Sequence, residues 1–211
     1  MALHGAPPPV SKALLLARST DEGETFATPA PIESDYPGGA CACCALRAVL
    51  RADRSLLLGF RGAHQNVRDV YVLREAGASP RFRSIRVSAD DWTFEGCPMA
   101  GPSLEAVGAD EIRVAWMSRD QVYRSVSRDG GRSFGPRIAP SDGSGGRRTL
   151  PLTVSGAHGE QLFAWIESGR VRWEQIGAEE TPIGSCDNGP VGADTRVTAF
   201  ADPDGGFVLV Y

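Results

Sequence analysis

Two octapeptides constrain this chain more than any other feature. Ser19-Thr-Asp21-Glu-Gly23-Glu-Thr-Phe26 and Ser127-Arg-Asp129-Gly-Gly131-Arg-Ser-Phe134 share the pattern Ser-x-Asp-x-Gly-x-(Thr/Ser)-Phe. Each position reads physically as part of a hairpin turn. The Asp carboxylate accepts bonds from turn amides, the Gly supplies a positive φ, and the aromatic returns the chain to the core. Ser, Asp and Gly are ordinary turn residues, so one copy says little. Two copies, each following a short strand-like run (Ala13–Ala17 and Gln121–Ser125), indicate a structural repeat.

Helical periodicity is scarce elsewhere. Short β-branched or aromatic runs separated by Gly, Pro, Asp and Ser dominate, which is the pattern of an all-β chain. A strand ending in bulky apolar residues recurs at Leu56–Phe60, Ile112–Trp116, Gln161–Trp165 and Gly206–Val210. The steps are about 45–56 residues, the length of a four-stranded propeller blade. A second strand follows the first three, at Asp69–Leu73, Gln121–Ser125 and Arg170–Trp173. We name the strands of a blade A to D from the axis outward. The chain then reads as strands C and D of one blade (residues 10–33), three complete blades (about 41–88, 97–140 and 149–184), and strands A and B of a last blade (190–211). Residues 10–211 form one domain in this reading, and the Pro-rich residues 1–9 are expected to be disordered. The octapeptides fall on C-to-D turns, and the equivalent turns at residues 76–82 and 177–182 keep only remnants of the pattern.

The octapeptides are similar to the Asp-box, or BNR repeat, of sialidase-like β-propellers. Ser19, Asp21, Gly23, Phe26, Ser127, Asp129, Gly131 and Phe134 occupy its structural positions. The chain also resembles a bacterial sialidase-like group through Cys41-Ala-Cys-Cys44, Arg68-Asp69-Val-Tyr71 and the turn from Cys97 to Pro102. Members of that group are generally exported, so the resemblance implies a periplasmic or envelope setting, although Met1–Pro9 lacks the basic and apolar layout of a signal peptide. Propellers of this kind usually have six blades. The terminal half-blades therefore either close a four-bladed ring or belong to a partial chain, and we prefer the second. Missing blades or a protein partner would then cover the edge strands.

Composition narrows the partners. At 42% hydrophobic the chain can bury a sizeable core, yet no apolar run approaches the roughly 20 residues of a membrane span. A net charge of -4 gives no electrostatic footprint for nucleic acid. No cofactor motif is present, and His4, His64 and His158 are too scattered to form a metal-ligand set. Carbohydrate or an anionic small molecule is the expected ligand class.

In this register Cys41, Cys43, Cys44, Cys97 and Cys186 all fall at D-to-A crossings and converge on one face. Three readings stay open: disulfides, such as Cys97 with one of the first trio; buried structural thiols; or a soft-metal site. Read as Cys-x-Cys-Cys without a matching His, the run is not by itself a zinc signature, and no metal is assigned. Arg61, His64, Arg68, Arg119, Asp120, Glu167 and Arg170 lie on B-to-C connections of the same face. These are the candidate ligand-binding residues, with arginines from three successive blades placed to meet one anion. Asp90-Asp91-Trp92 reads first as inter-blade packing at the second crossing and only then as a sugar-stacking ring.

Sialidases hold the substrate carboxylate with three arginines and use a Tyr nucleophile with Glu and Asp helpers, departing from the usual carboxylate pair. Here the Phe/Tyr-Arg-Ile-Pro segment of that family is absent and no later Tyr, Glu and Arg can be matched, so no catalytic residue is assigned. The leading expectation is a propeller of unassigned activity that binds an anionic, carbohydrate or protein ligand on its Cys- and Arg-rich face. The alternatives are an exo-α-sialidase or related glycoside hydrolase, and a thiol- or metal-handling propeller.

Overall fold

The computed structural model describes residues 12–76, 81–142, 145–192 and 195–211. The segment expected to be disordered, residues 1–9, and the centre of the first degenerate turn, residues 77–80, lie outside the described residues. The rest is all-β, with a single 3-10 turn at His64–Asn66. No helix of the described residues is long and apolar enough to cross a membrane.

The chain opens with a hairpin of β1 (Leu15–Leu16) and β2 (Ala30–Pro31). Next, β3 (Glu33–Ser34) runs parallel to the outer strand of the first full blade, which consists of β4 (Arg47–Leu50), β5 (Leu56–Arg61), β6 (Val70–Glu75) and β7 (Arg81–Arg86). The second blade has β8 (Ser103–Val107), β9 (Glu111–Ser118) and β10 (Gln121–Ser127). Its fourth edge is a single bridge between Arg124 and Ile138, not a full strand. Pro136 and Pro140 flank Ile138 and lack the N–H groups that would extend the ladder. The third blade comprises β11 (Arg148–Ser155), β12 (Gln161–Glu167), β13 (Arg170–Ile176) and β14 (Pro182–Pro190), and β15 (Thr198–Ala201) and β16 (Phe207–Val210) form the last hairpin. The two terminal hairpins remain separate two-stranded sheets, so their strands do not pair to close a four-bladed ring.

The inner strands lie side by side, β4 against β8, β8 against β11 and β11 against β15. The apolar core is accordingly built between blades. Leu57, Val70 and Val72 of the first blade pack with Leu104, Ile112, Val114 and Trp116 of the second. Ala115, Met117 and Val122 of the second pack with Phe163, Trp165 and Ile176 of the third. A third cluster joins Leu56, Phe60, Leu73 and Phe82 to Leu14, Leu16 and Ile32 of the opening hairpin. Strand β12 is buried at every residue, because it is sandwiched by neighbours in its own sheet and by blades on either face.

Both octapeptides fold into the same turn. Ser19 Oγ donates to Asp21 Oδ1 at 2.6 Å and accepts from Gly23 N at 2.9 Å, and Thr25 N donates to Asp21 Oδ1 at 3.0 Å. The second copy repeats this set: Ser127 Oγ to Asp129 Oδ1 at 2.7 Å, Gly131 N to Ser127 Oγ at 2.9 Å, and Ser133 N to Asp129 Oδ1 at 2.9 Å. Gly23 and Gly131 take φ of 93° and 81°. Hydrogen bonds from Ser19 and Thr25 hold the Asp21 carboxyl down to about 2, and those from Ser133 lower Asp129 further. One expectation fails at Phe26. Phe134 packs against the cluster shared with the first blade, whereas Phe26 is 66% exposed, because no described blade precedes the opening hairpin.

Candidate functional site

The end of the sheets opposite the octapeptides carries the B-to-C connections. In the second and third blades these are two-residue turns with both φ positive, Arg119 and Asp120 at 50° and 59°, and Ser168 and Gly169 at 47° and 75°. That is the type I′ geometry, whose twist matches the strands it joins. Only the first blade has a longer connection, folded around the His64–Asn66 turn. The face is therefore shaped mainly by the D-to-A crossings between blades.

Arg68 and Asp69 pin the second of these crossings. Buried Asp69 accepts hydrogen bonds from Arg86 Nε at 2.8 Å, Asp91 N at 3.1 Å and Trp92 N at 3.1 Å, and Arg68 N donates to Trp92 O at 2.8 Å. Asp90 ties the same crossing to the second blade. It accepts from Trp116 Nε1 at 2.7 Å and Ser88 Oγ at 2.9 Å and pairs with Arg137. Burial pushes the Asp90 carboxyl up, but these donors outweigh it and the group sits below its ordinary range.

The structure separates the candidate ligand residues into two kinds. Arg61 and Arg68 are interior. Arg61 Nε donates to Ala100 O at 2.8 Å, Nη2 to Met117 O at 2.7 Å and Nη1 to Arg68 O, while its guanidinium stacks on Trp92 at 5.2 Å. Arg68 donates to Phe94 O at 3.1 Å. These two side chains bind neighbouring segments and are sealed from solvent ligands, which corrects the expectation that they line a binding face. Glu167 is also buried, facing Trp165 Nε1 at 3.3 Å and Arg148 Nε at 3.3 Å. The exposed members are His64, Arg119, Asp120 and Arg170. Arg170 is held by Asp187 at 2.7 Å, Asp120 by Arg147 at 2.9 Å, and Arg119 donates to Asp91 O at 3.0 Å.

Arg119 and Asp120 border an open pocket of about 670 Å³, lined also by Trp92, Phe94, Met117 and Arg147. Trp92 is mostly buried, and its ring lies 5.5 Å from that of Phe94. The packing reading of Trp92 is right, and the same ring forms part of the pocket wall. Arg147 went unnoticed in the sequence because the Gly- and Ser-rich run before it reads as a plain loop. A second polar group gathers Asp142, Arg148, Glu167, Arg172 and Asp187 at the third blade. Arg170 holds Asp187 down to about 2. Among the described residues Asp21, Asp35, Asp53, Asp90, Asp129 and Asp187 all have their carboxyls lowered, chiefly by the hydrogen bonds and arginines around them.

Cysteines adjoin this pocket, and Cys97 lines it. Cys43 and Cys97 are disulfide-bonded, while Cys41 and Cys44 are buried free thiols beside them. The Cys44 thiol donates to Cys41, holding Cys41 down to about 6 and raising Cys44. Cys186 departs from expectation. It lies within β14, opposite Trp173, and is exposed and apart from the other four, because pairing of β13 with β14 continues to Pro190.

No protein-family model matches the chain, and no curated protein matches it. Solved structures do. An α-L-arabinanase of Penicillium chrysogenum complexed with arabinobiose aligns with a TM-score of 0.62 at 14% identity, over 97% of this chain and 68% of that one. The NanB sialidase of Streptococcus pneumoniae aligns with a TM-score of 0.60 at 12% identity, over 92% of this chain and 32% of that one. A GH93 α-L-arabinofuranosidase of Fusarium graminearum aligns with a TM-score of 0.60 at 11% identity, over 98% and 68%. This chain thus spans about a third of the sialidase and about two thirds of the arabinan-degrading enzymes. At such identities the likeness speaks for fold alone, and the fold is that of a sialidase-like β-propeller.

Proposed function

We propose that this propeller binds a small acidic carbohydrate in the pocket bordered by Arg119 and Arg147. The observation that carries the reading is the lining itself. Two exposed guanidiniums suited to a carboxylate stand beside the aromatic wall of Trp92 and Phe94, on the face where the crossings meet. The structural neighbours support a sugar as ligand class, since arabinobiose occupies two of them and others are sialidases. In this reading the octapeptide turns are Asp-boxes that scaffold the opposite rim, and they take no part in binding.

Calorimetric titration with N-acetylneuraminate, galacturonate and arabinobiose tests the assignment. Binding of an acidic sugar that is lost in R119A/R147A supports it. Equal affinity for neutral arabinobiose, or no effect of the double substitution, refutes it. The rival is a glycoside hydrolase, favoured by the activities of the fold neighbours. Turnover of a fluorogenic sialoside or arabinoside, lost in R119A or R170A, would replace binding with catalysis as the function.

A further inference from the structure

Four sulfurs from two distant stretches of sequence meet beside the pocket. Cys41 Sγ lies 3.9 Å from Cys43 Sγ and 3.7 Å from Cys97 Sγ, and Cys44 Sγ lies 3.8 Å from Cys97 Sγ. The sulfurs of Cys41, Cys44 and Cys97 all fall within 4.8 Å of one another. A tetrahedral zinc ion with metal–sulfur bonds of about 2.3 Å has ligand-to-ligand edges of about 3.8 Å. Three separations already have that length. Of the other edges, Cys41–Cys44 lies within 4.8 Å and Cys43–Cys97 is closed by the disulfide, where the 6.5 Å between the two Cα atoms suits either a bridge or two thiolates on one ion.

The surroundings are those of a thiolate site. Met99 N donates to Cys97 Sγ at 3.3 Å. Such N–H···S bonds orient ligand sulfurs and offset their charge. Arg61 and Arg68, 1% and 0% exposed, flank the group, and among the described residues neither forms a carboxylate ion pair and Arg68 Nη1 has no hydrogen-bond partner. Two buried positive charges are what a divalent ion with four thiolates, net charge about -2, would leave to be balanced. Cys41 and Cys44 also stand at Cys-x-x-Cys spacing, which the intervening Cys43 masks in the sequence. An iron–sulfur cluster places several atoms between its thiolates and needs wider spacing.

We propose that in the reduced chain Cys41, Cys43, Cys44 and Cys97 form a tetrathiolate site for one Zn²⁺ ion, and that the ion and the Cys43–Cys97 disulfide are alternative states of this site. A dithiol reductant opens the bridge. Two electrons and two protons pass to the sulfurs of Cys43 and Cys97, and the reductant closes into its own disulfide. Zn²⁺ then displaces the four thiol protons. This inference is independent of the carbohydrate reading.

The test uses the full chain, reduced with dithiothreitol, desalted without oxygen and titrated with Zn²⁺ against a chromophoric chelator. One equivalent is expected, with affinity reduced about 100-fold or more in C41S and C97S, each losing a direct ligand, and unchanged in C186S. Co²⁺ in place of Zn²⁺ should give thiolate-to-metal charge transfer and tetrahedral ligand-field bands. Re-oxidation of loaded wild type with diamide, which avoids any folding defect of the variants, should release the ion and restore the bridged mass. Substoichiometric Zn²⁺ in the reduced chain, wild-type affinity in C41S, binding of Cu⁺ but not Zn²⁺, or retention of zinc by the bridged chain would each overturn the proposal.

Discussion

Asp90 offers the sharpest test of how the crossings hold the blades together. Its side chain is 1% exposed and receives Trp116 Nε1 at 2.7 Å, from an indole that is wholly buried. In D90A that indole N–H loses its acceptor in a site closed to water, which costs about 1–3 kcal/mol. The Arg137 partner is 43% exposed on its side chain and regains water, so its share is held to about 0–1 kcal/mol. The expected loss is therefore about 1–4 kcal/mol, equivalent to roughly 2–16 °C in melting temperature for a chain of this size. D90N keeps one acceptor oxygen and should lose less than D90A. Urea denaturation of wild type, D90A, W116F and the double variant measures the coupling directly. We expect the two substitutions to be non-additive by about 1 kcal/mol or more, since W116F removes the orphaned donor. A D90A midpoint within error of wild type, or strict additivity, refutes the reasoning.

The remaining predictions test other links. R61M should destabilise by about 3–5 kcal/mol in the same urea assay, because it leaves the carbonyls of Ala100, Met117 and Arg68 without their donor, and R61K should rescue little of it. Asp187 sits at about 2 when folded against an ordinary 3.8, so its contribution is present above pH 4 and lost as pH falls toward 2; D187N should lower the urea midpoint at pH 7 and flatten its pH dependence, the two proteins converging as pH falls toward 2. G131A should cost about 1–2 kcal/mol by its positive φ alone, since an added Cβ would meet Ile112 and Leu57 only at ordinary contact distances. F26S should be nearly silent in thermal melts while F134S lowers the melting temperature, because only Phe134 reaches a core.

Periodicity made much of the architecture legible. The strands Leu56–Arg61, Glu111–Ser118 and Gln161–Glu167 announce themselves by apolar content, and the octapeptides by a turn chemistry complete within eight residues. What stayed hidden depends on contacts between distant segments. Nothing local distinguishes Arg61, which is buried, from Arg119, which is exposed. The difference arises because Arg61 meets three carbonyls contributed by other segments, whereas Arg119 occupies a type I′ turn at the sheet end. Cys186 precedes a Gly-Pro pair much as Cys97 does, yet the ladder with β13 keeps it in a strand. The pocket residue Arg147 follows a run of Gly and Ser with no pattern of its own.

The placement of apolar clusters between blades determines how such a chain gains and loses its structure. A blade here has no private core, so the cooperative unit is the junction of two neighbours, and stability propagates along the array as a sum of nearest-neighbour terms. Amide exchange should therefore be slowest in β9 and β12, which contribute to junctions within the array, and fastest in the two terminal hairpins. Unfolding would proceed as fraying from both ends toward the middle blade, whose strands supply residues to the clusters on either side.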